Sequence, residues 1–207
     1  MRITNNSLFY LMVSVVIGSF SHVTAEEYLI KNATVYTSTA RGILNQADVL
    51  IRDDKIISVM QGIKAPKGST VIDAKGKYLT PGLSNASTHL GLVEIGAVSS
   101  TVDVATKHKG IGASFNIAPA INFASTLIPQ NRINGLTRAI VLPRSGESIF
   151  AGQGAVIALH SSLEDGLLKE KAVHVASYGT QGAKKSGGSR AAAMQLLEQA
   201  FLDATYV

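Results

Sequence analysis

Residues 78–91 run Tyr78-Leu79-Thr80-Pro81-Gly82-Leu83-Ser84-Asn85-Ala86-Ser87-Thr88-His89-Leu90-Gly91. The stretch reads as a buried strand that passes through the Pro81-Gly82 step and closes in a polar cluster at His89. Alternate residues of a strand point to one side, which puts Ser87 and His89 on a common face. Catalytic zinc takes three protein ligands and keeps a further position for water, whose pKa it lowers. His89 carries an imidazole that such a site could use, although on these residues alone a structural hydrogen bond is the simpler role. Ser87 offers only a neutral hydroxyl, a poorer ligand than imidazole. The competing account is a polar strand end whose His89 simply makes hydrogen bonds.

Working outward toward the N-terminus, residues 28–36 are rich in β-formers. Residues 47–51 and 55–60 form two more strands around Asp53-Asp54, which reads as a hairpin. A loop over 61–69, a short strand over 70–73 and a turn over 74–77 lead into the signature. Such a run of short strands predicts a small β-sandwich or meander. Beyond the signature, a helical turn is expected within 94–104 and a helix within 119–135, followed by a strand over 138–142. Next come a Gly-rich loop over 145–154, strands over 155–160 and 172–176, and a flexible loop over 179–188. A helix over 190–204 has Met194, Leu197 and Phe201 spaced for one apolar face. A helix leading into an apolar β run indicates α/β alternation.

Taken in order, these pieces resemble the amidohydrolase superfamily, close to its imidazolonepropionase-like branch. The resemblance is carried by Leu29-Ile30-Lys31-Asn32-Ala33-Thr34-Val35, by Asp53-Asp54-Lys55-Ile56-Ile57, by Val71 through Leu83, and by the strand ending at His89. It covers roughly residues 28–160. In that family the strand carries a His-x-His pair that binds a catalytic metal. Here His89 stands at the second histidine, Ser87 at the first, and Asn85 where an aspartate is usual. The resemblance implies an α/β fold: part of a small β-sandwich domain over residues 26–80, then the first units of a (β/α)8 TIM-like barrel over 81–207. It further implies hydrolysis of a carbon–nitrogen bond, in a non-peptide or small peptide amide, by a water activated on a divalent metal, zinc above all. His89 would be the surviving ligand, and no segment matches the family's late-barrel base. A complete barrel takes about 250 residues, so a chain of 207 is expected to be a truncated, N-terminal fragment of a longer protein. The alternative class is a non-catalytic binding or scaffold protein, or a remnant, that keeps the frame without the metal centre.

Composition narrows the partners. The chain is 46% hydrophobic and 16% charged, enough apolar material for a core, and its net charge of +5 is scattered. Lys107/Lys109 and Lys184/Lys185 are its tight basic groupings. No aromatic residues interleave with them as a nucleic-acid platform requires, so nucleic acid is not expected as a partner; the resemblance implies a small amide-type molecule instead. Residues 1–25 read as a secretory signal peptide, with Arg2 ahead of an apolar run and Val23-Thr24-Ala25 before Glu26. The run from Leu8 to Phe20 falls short of the roughly 20 residues of a membrane span. A periplasmic or secreted protein with no stable span after cleavage is expected. The chain has no cysteine, which excludes disulfides and thiolate metal sites. Other polar groups read as structural: His160 and His174 at β runs, His108 in a basic patch, and Glu94 and Asp103 as surface or capping residues. The glycines of Ser145-Gly146-Glu147 and Gly152-Gln153-Gly154 read as turn formers.

Overall fold

The structure, a computed structural model, describes residues 26–205 apart from Lys109 and Ser161. The leader expected at 1–25 lies outside the described residues. The chain divides between Pro81 and Gly82 into two compact units.

The first unit is a five-stranded sheet built on β1 (Glu27–Tyr36), β2 (Ile43–Arg52), β3 (Lys55–Met60), β4 (Thr70–Asp73) and β5 (Tyr78–Leu79). The order is β3-β2-β1-β4, with β5 also on β1. The β2–β3 hairpin turns through Asp53 (φ 46°) and Asp54 (φ 60°). A two-residue primed turn needs a left-handed backbone at both central positions, and aspartate tolerates it. β2 starts at Ile43, earlier than the pattern suggests, because Ile43 and Leu44 pair with Tyr36 and Val35 beyond a register shift. β4 and β5 run parallel to β1. Among the described residues this gives one mixed sheet rather than a simple meander. Ala33, Val35, Ala47, Val49 and Ala74 form its buried core.

Two carboxylates fix the bulge in β1. Asn32 sits at φ 61° in a register break between Ile30 and Ala33. Its N–H donates to Asp48 Oδ1 at 2.9 Å, and its side-chain amide donates to Asp73 Oδ1 at 3.0 Å. Asp73 also accepts from Lys75 N at 3.1 Å. The Asn32 amide foremost, then the Lys75 N–H, hold the Asp73 carboxyl below its ordinary pKa. A depressed folded-state pKa contributes stability above the unfolded value, and that contribution is lost as pH falls through the folded value. The Tm gap between wild type and Asp73→Ala is therefore expected to be present at neutral pH and to close below the usual carboxylate range. A gap independent of pH would contradict this.

The second unit contains β6 (Leu83–Thr88), α1 (Leu127–Ile133), β7 (Leu136–Val141), β8 (Phe150–Ala158), α2 (Leu163–Gly166), β9 (Leu167–Ala176), α3 (Gly179–Lys185) and α4 (Arg190–Thr205). The sheet order is β6-β7-β8-β9. β6 and β7 are parallel and joined through α1, whereas β7, β8 and β9 are successively antiparallel. The expected α/β alternation therefore holds for one unit, after which short connections return the chain antiparallel. Ala139 and Val141 of β7 and Ala155 and Ile157 of β8 point into a core with Leu90, Leu92, Ile117 and Ile128.

Several expectations are corrected here. β6 is not buried: it is an edge strand, and Leu83 is 61% exposed. The helix expected within 119–135 shrinks to Leu127–Ile133, preceded by a 3-10 turn at Ala118–Ala120. Asn122 Oδ1 accepts from Ala124 N, and Ser125 Oγ accepts from Leu127 N. Such local bonds compete with the helical ladder. A 3-10 turn at Ser99–Thr101 fills the helical position expected within 94–104. Residues 150–154, expected in a loop, belong to β8, and β9 begins well before 172. Residues 179–185, expected to be flexible, are the helix α3. On α4 the buried residue is Ala193, while Met194 and Phe201 are 43% and 67% exposed.

Candidate functional site

The end of β6 sets the geometry. Asn85 pairs with Ala139 and Thr88 with Val141, with a register shift between them. Inside that shift the Asn85 side chain turns back, and Oδ1 accepts from Ser87 N at 2.9 Å. The strand stops at Thr88, whose carbonyl accepts from Leu142 N at 2.9 Å. His89 lies beyond it in a turn closed by Leu92 N donating to His89 O at 2.9 Å. Ser87 is exposed and His89 half-buried. The simple two-residue alternation expected for this pair is interrupted by the shift. Among the described residues, no three His, Cys, Asp or Glu side chains gather as a metal would need.

Both nitrogens of the His89 ring are engaged. Nδ1 lies 2.9 Å from the Leu142 carbonyl oxygen, which can only accept. Nδ1 therefore carries the proton, and Nε2 is left as an acceptor. Arg144 Nε donates to that Nε2 at 2.9 Å. The lone pair that a metal would take is thus held by a guanidinium, and a fixed positive charge stands where a dication would approach. The residues present do not fit a catalytic metal at His89 as they are arranged. If Arg144 blocks the ligand, Arg144→Ala frees His89 Nε2 and is expected to tighten zinc binding by about tenfold, the scale of about 1.4 kcal/mol. Adding Ser87→His should tighten it further. Isothermal titration of zinc into the full-length variants checks this, and affinities equal to wild type would contradict it.

Arg144 opens a short loop that is tied down on both sides. Its N–H donates to Val104 O at 2.7 Å. Ser145 Oγ donates to Ile149 O at 3.1 Å and lies 2.5 Å from Ser177 Oγ, while Ser177 N donates to the same Ile149 O at 2.7 Å. Lys185 Nζ, at the end of α3, donates to Gly146 O. Sequence reasoning did not single out Arg144. The available signal was its place directly after a strand expected to lie beside the signature strand.

The remaining candidates have structural roles. Glu94 Oε2 accepts from the buried Ser125 Oγ at 2.8 Å, and its Oε1 from Asn122 Nδ2 at 3.3 Å. His108 Nδ1 accepts from Gly110 N at 3.2 Å. His160 Nδ1 lies 3.3 Å from Ser162 Oγ and 3.6 Å from Asp165. His174 is exposed on β9, and Asp103 is exposed on a loop. Gly152 and Gly154 are not turn formers. They lie in β8, where alanine would meet Phe115 O and Val141 O at 2.4 and 2.8 Å.

No family model matches the chain. A dihydroorotase of Citrifermentans bemidjiense is 42% identical over 62 residues, 30% of this chain and 14% of that protein. A dihydroorotase of Staphylococcus aureus is 33% identical over 94 residues, 45% of this chain and 21% of that protein. The crystal structure of an amidohydrolase from Thermotoga maritima superposes with a TM-score of 0.74 at 24% identity, covering 86% of this chain and 48% of that one. The last likeness shows the fold; the first two add local sequence. The chain thus has an amidohydrolase-like fold over most of its length and local sequence similarity to dihydroorotases over 30–45% of it. It spans about half of the Thermotoga chain, and its matches cover at most 21% of these dihydroorotases.

Proposed function

We propose that the protein is a hydrolase of the amidohydrolase type, cleaving a carbon–nitrogen bond in a small non-peptide or short peptide amide. The observation that carries this reading is the local sequence identity to dihydroorotases, joined to the Thermotoga amidohydrolase fold. The superfamily's metal-activated water requires a free imidazole at His89 and further ligands. The described residues supply neither, so no step is drawn through a metal. What His89 does as held is orient Arg144, with Leu142 O fixing the ring. The full (β/α)8 barrel, and any further ligands and base, are proposed to lie in the length of the relatives to which nothing here corresponds. Export is proposed from the pattern of residues 1–25. Edman sequencing of the protein from periplasm or medium should begin at Glu26, and a cytoplasmic protein beginning at Met1 would contradict export. Among the described residues, no helix is long and apolar enough to cross a membrane.

A second reading, a binding protein that keeps the frame, is favoured by the Arg144–His89 bond. Incubating the full-length protein with dihydroorotate, other cyclic amides and dipeptides, with and without zinc, separates the two. Release of a new carboxylate, with a carbamoyl group from dihydroorotate or an amine from a simple amide or dipeptide, supports the hydrolase. Saturable binding of one of these molecules without release supports the binding protein.

A further inference from the structure

Arg144 has a second environment that neither reading uses. A cleft of ≈ 470 Å³ beside it is lined by Arg144, Ser145, Ser177, Gln181 and Lys185, together with Pro143 and Val175. Two side chains are cationic, three are neutral and polar, and no carboxylate is among them. The hydroxyls are already committed. Ser145 donates to Ile149 O, so Ser177 donates to Ser145 across the 2.5 Å contact. The donors that remain are the Arg144 Nη groups, the Lys185 N–H groups not directed at Gly146 O, and the Gln181 amide. His89 holds the Nε edge of the guanidinium, which leaves its two-nitrogen end free for a bidentate acceptor. Lys185 is anchored at its own tip, so much of its ordering cost is already met before any ligand arrives. A cluster of cationic and amide donors with no carboxylate among the lining residues matches an oxyanion.

We propose that this cleft is a binding site for an oxyanion group, a carboxylate or phosphate borne by a small molecule, with Arg144, Lys185 and Gln181 as its donors and His89 as the residue that positions Arg144. The site does not depend on the hydrolase reading. Arg144 and Gln181 are exposed, and charges in contact with water gain little from pairing, so affinity for a bare anion is expected on the order of millimolar.

The test uses the full-length protein at constant ionic strength, titrated with inorganic phosphate and, separately, acetate, with side-chain and amide NMR shifts as readout. Binding should move Gln181 and the residues around Arg144. Arg144→Gln removes the fork, and Gln181→Glu places a carboxylate in the cleft. Each should weaken binding by about tenfold, the scale of one charge-assisted hydrogen bond. Gln181→Glu keeps the fold, because the residue is exposed and an acid suits the first turn of a helix. Preference for acetate assigns the site to a carboxylate, and preference for phosphate to a phosphoryl group. Binding of neither anion, or equal binding by wild type and both variants, overturns the proposal.

Discussion

Replacing Gly152 with alanine is expected to destabilise the protein by about 3 kcal/mol or more, the sum of a strained backbone and an overpacked strand. Gly152 adopts φ 117°, a conformation side chains rarely take. A Cβ there would lie 2.4 Å from Phe115 O and 2.7 Å from Phe115 Cβ. The nearest obstacle is backbone and cannot swing aside. It is also pinned, since Gln153 N donates to Phe115 O at 2.6 Å and Ile117 N to Gln153 O at 3.1 Å. The strain would reach the site, because Gly152 pairs with Val175. Ser177, two residues on, ties Ile149 and hence the Arg144 loop to the sheet. A fall in the urea midpoint at unchanged slope would show a stability change without a change in the unfolded state. A midpoint equal to wild type would contradict the proposed close approach.

Asp48→Ala is expected to cost about 2–4 kcal/mol, because it leaves two part-buried donors unpaired, each costing roughly 1–3 kcal/mol when fully desolvated and less where water reaches it. Asp48 is 2% exposed, yet both its oxygens are used. Oδ1 accepts from Asn32 N at 2.9 Å, and Oδ2 from Ile63 N at 2.8 Å. The carboxylate thus ties the β1 bulge to the loop after β3. Asp48→Asn keeps the shape but turns an N–H donor toward one of those two donors, so it should not restore the loss. Chemical denaturation of both variants checks this, and an Asn variant as stable as wild type would contradict the two-acceptor role.

Legibility followed local chemistry. The Asp53-Asp54 turn was readable because a two-residue hairpin needs residues that tolerate a left-handed backbone, and a pair of aspartates between two β-branched, apolar runs meets that need. The order from Leu29 to His89 was readable as a family pattern for the same local reason. What failed depended on contacts distant in sequence. The burial of Leu83 could not be judged without knowing that β6 has one neighbour. Gly152 and Gly154 looked like loop glycines because their real constraint, Phe115 and Val141 crossing close by, leaves no mark beside them. Residues 179–185 looked flexible from their Gly, Lys and Ser content, but buried Gly182 and Ala183 give α3 its packing. At the site, His89 was legible from its strand, whereas Arg144 lies 55 positions further on and meets it only through the β6–β7 pairing.

The hydrolase reading is tested most directly by following ring opening of dihydroorotate and related cyclic amides with full-length wild type and His89→Ala, each with and without zinc. Turnover by wild type that falls in His89→Ala, through loss of the residue that positions Arg144, is the expected result. A folded wild type that opens none of these amides under either condition would contradict it.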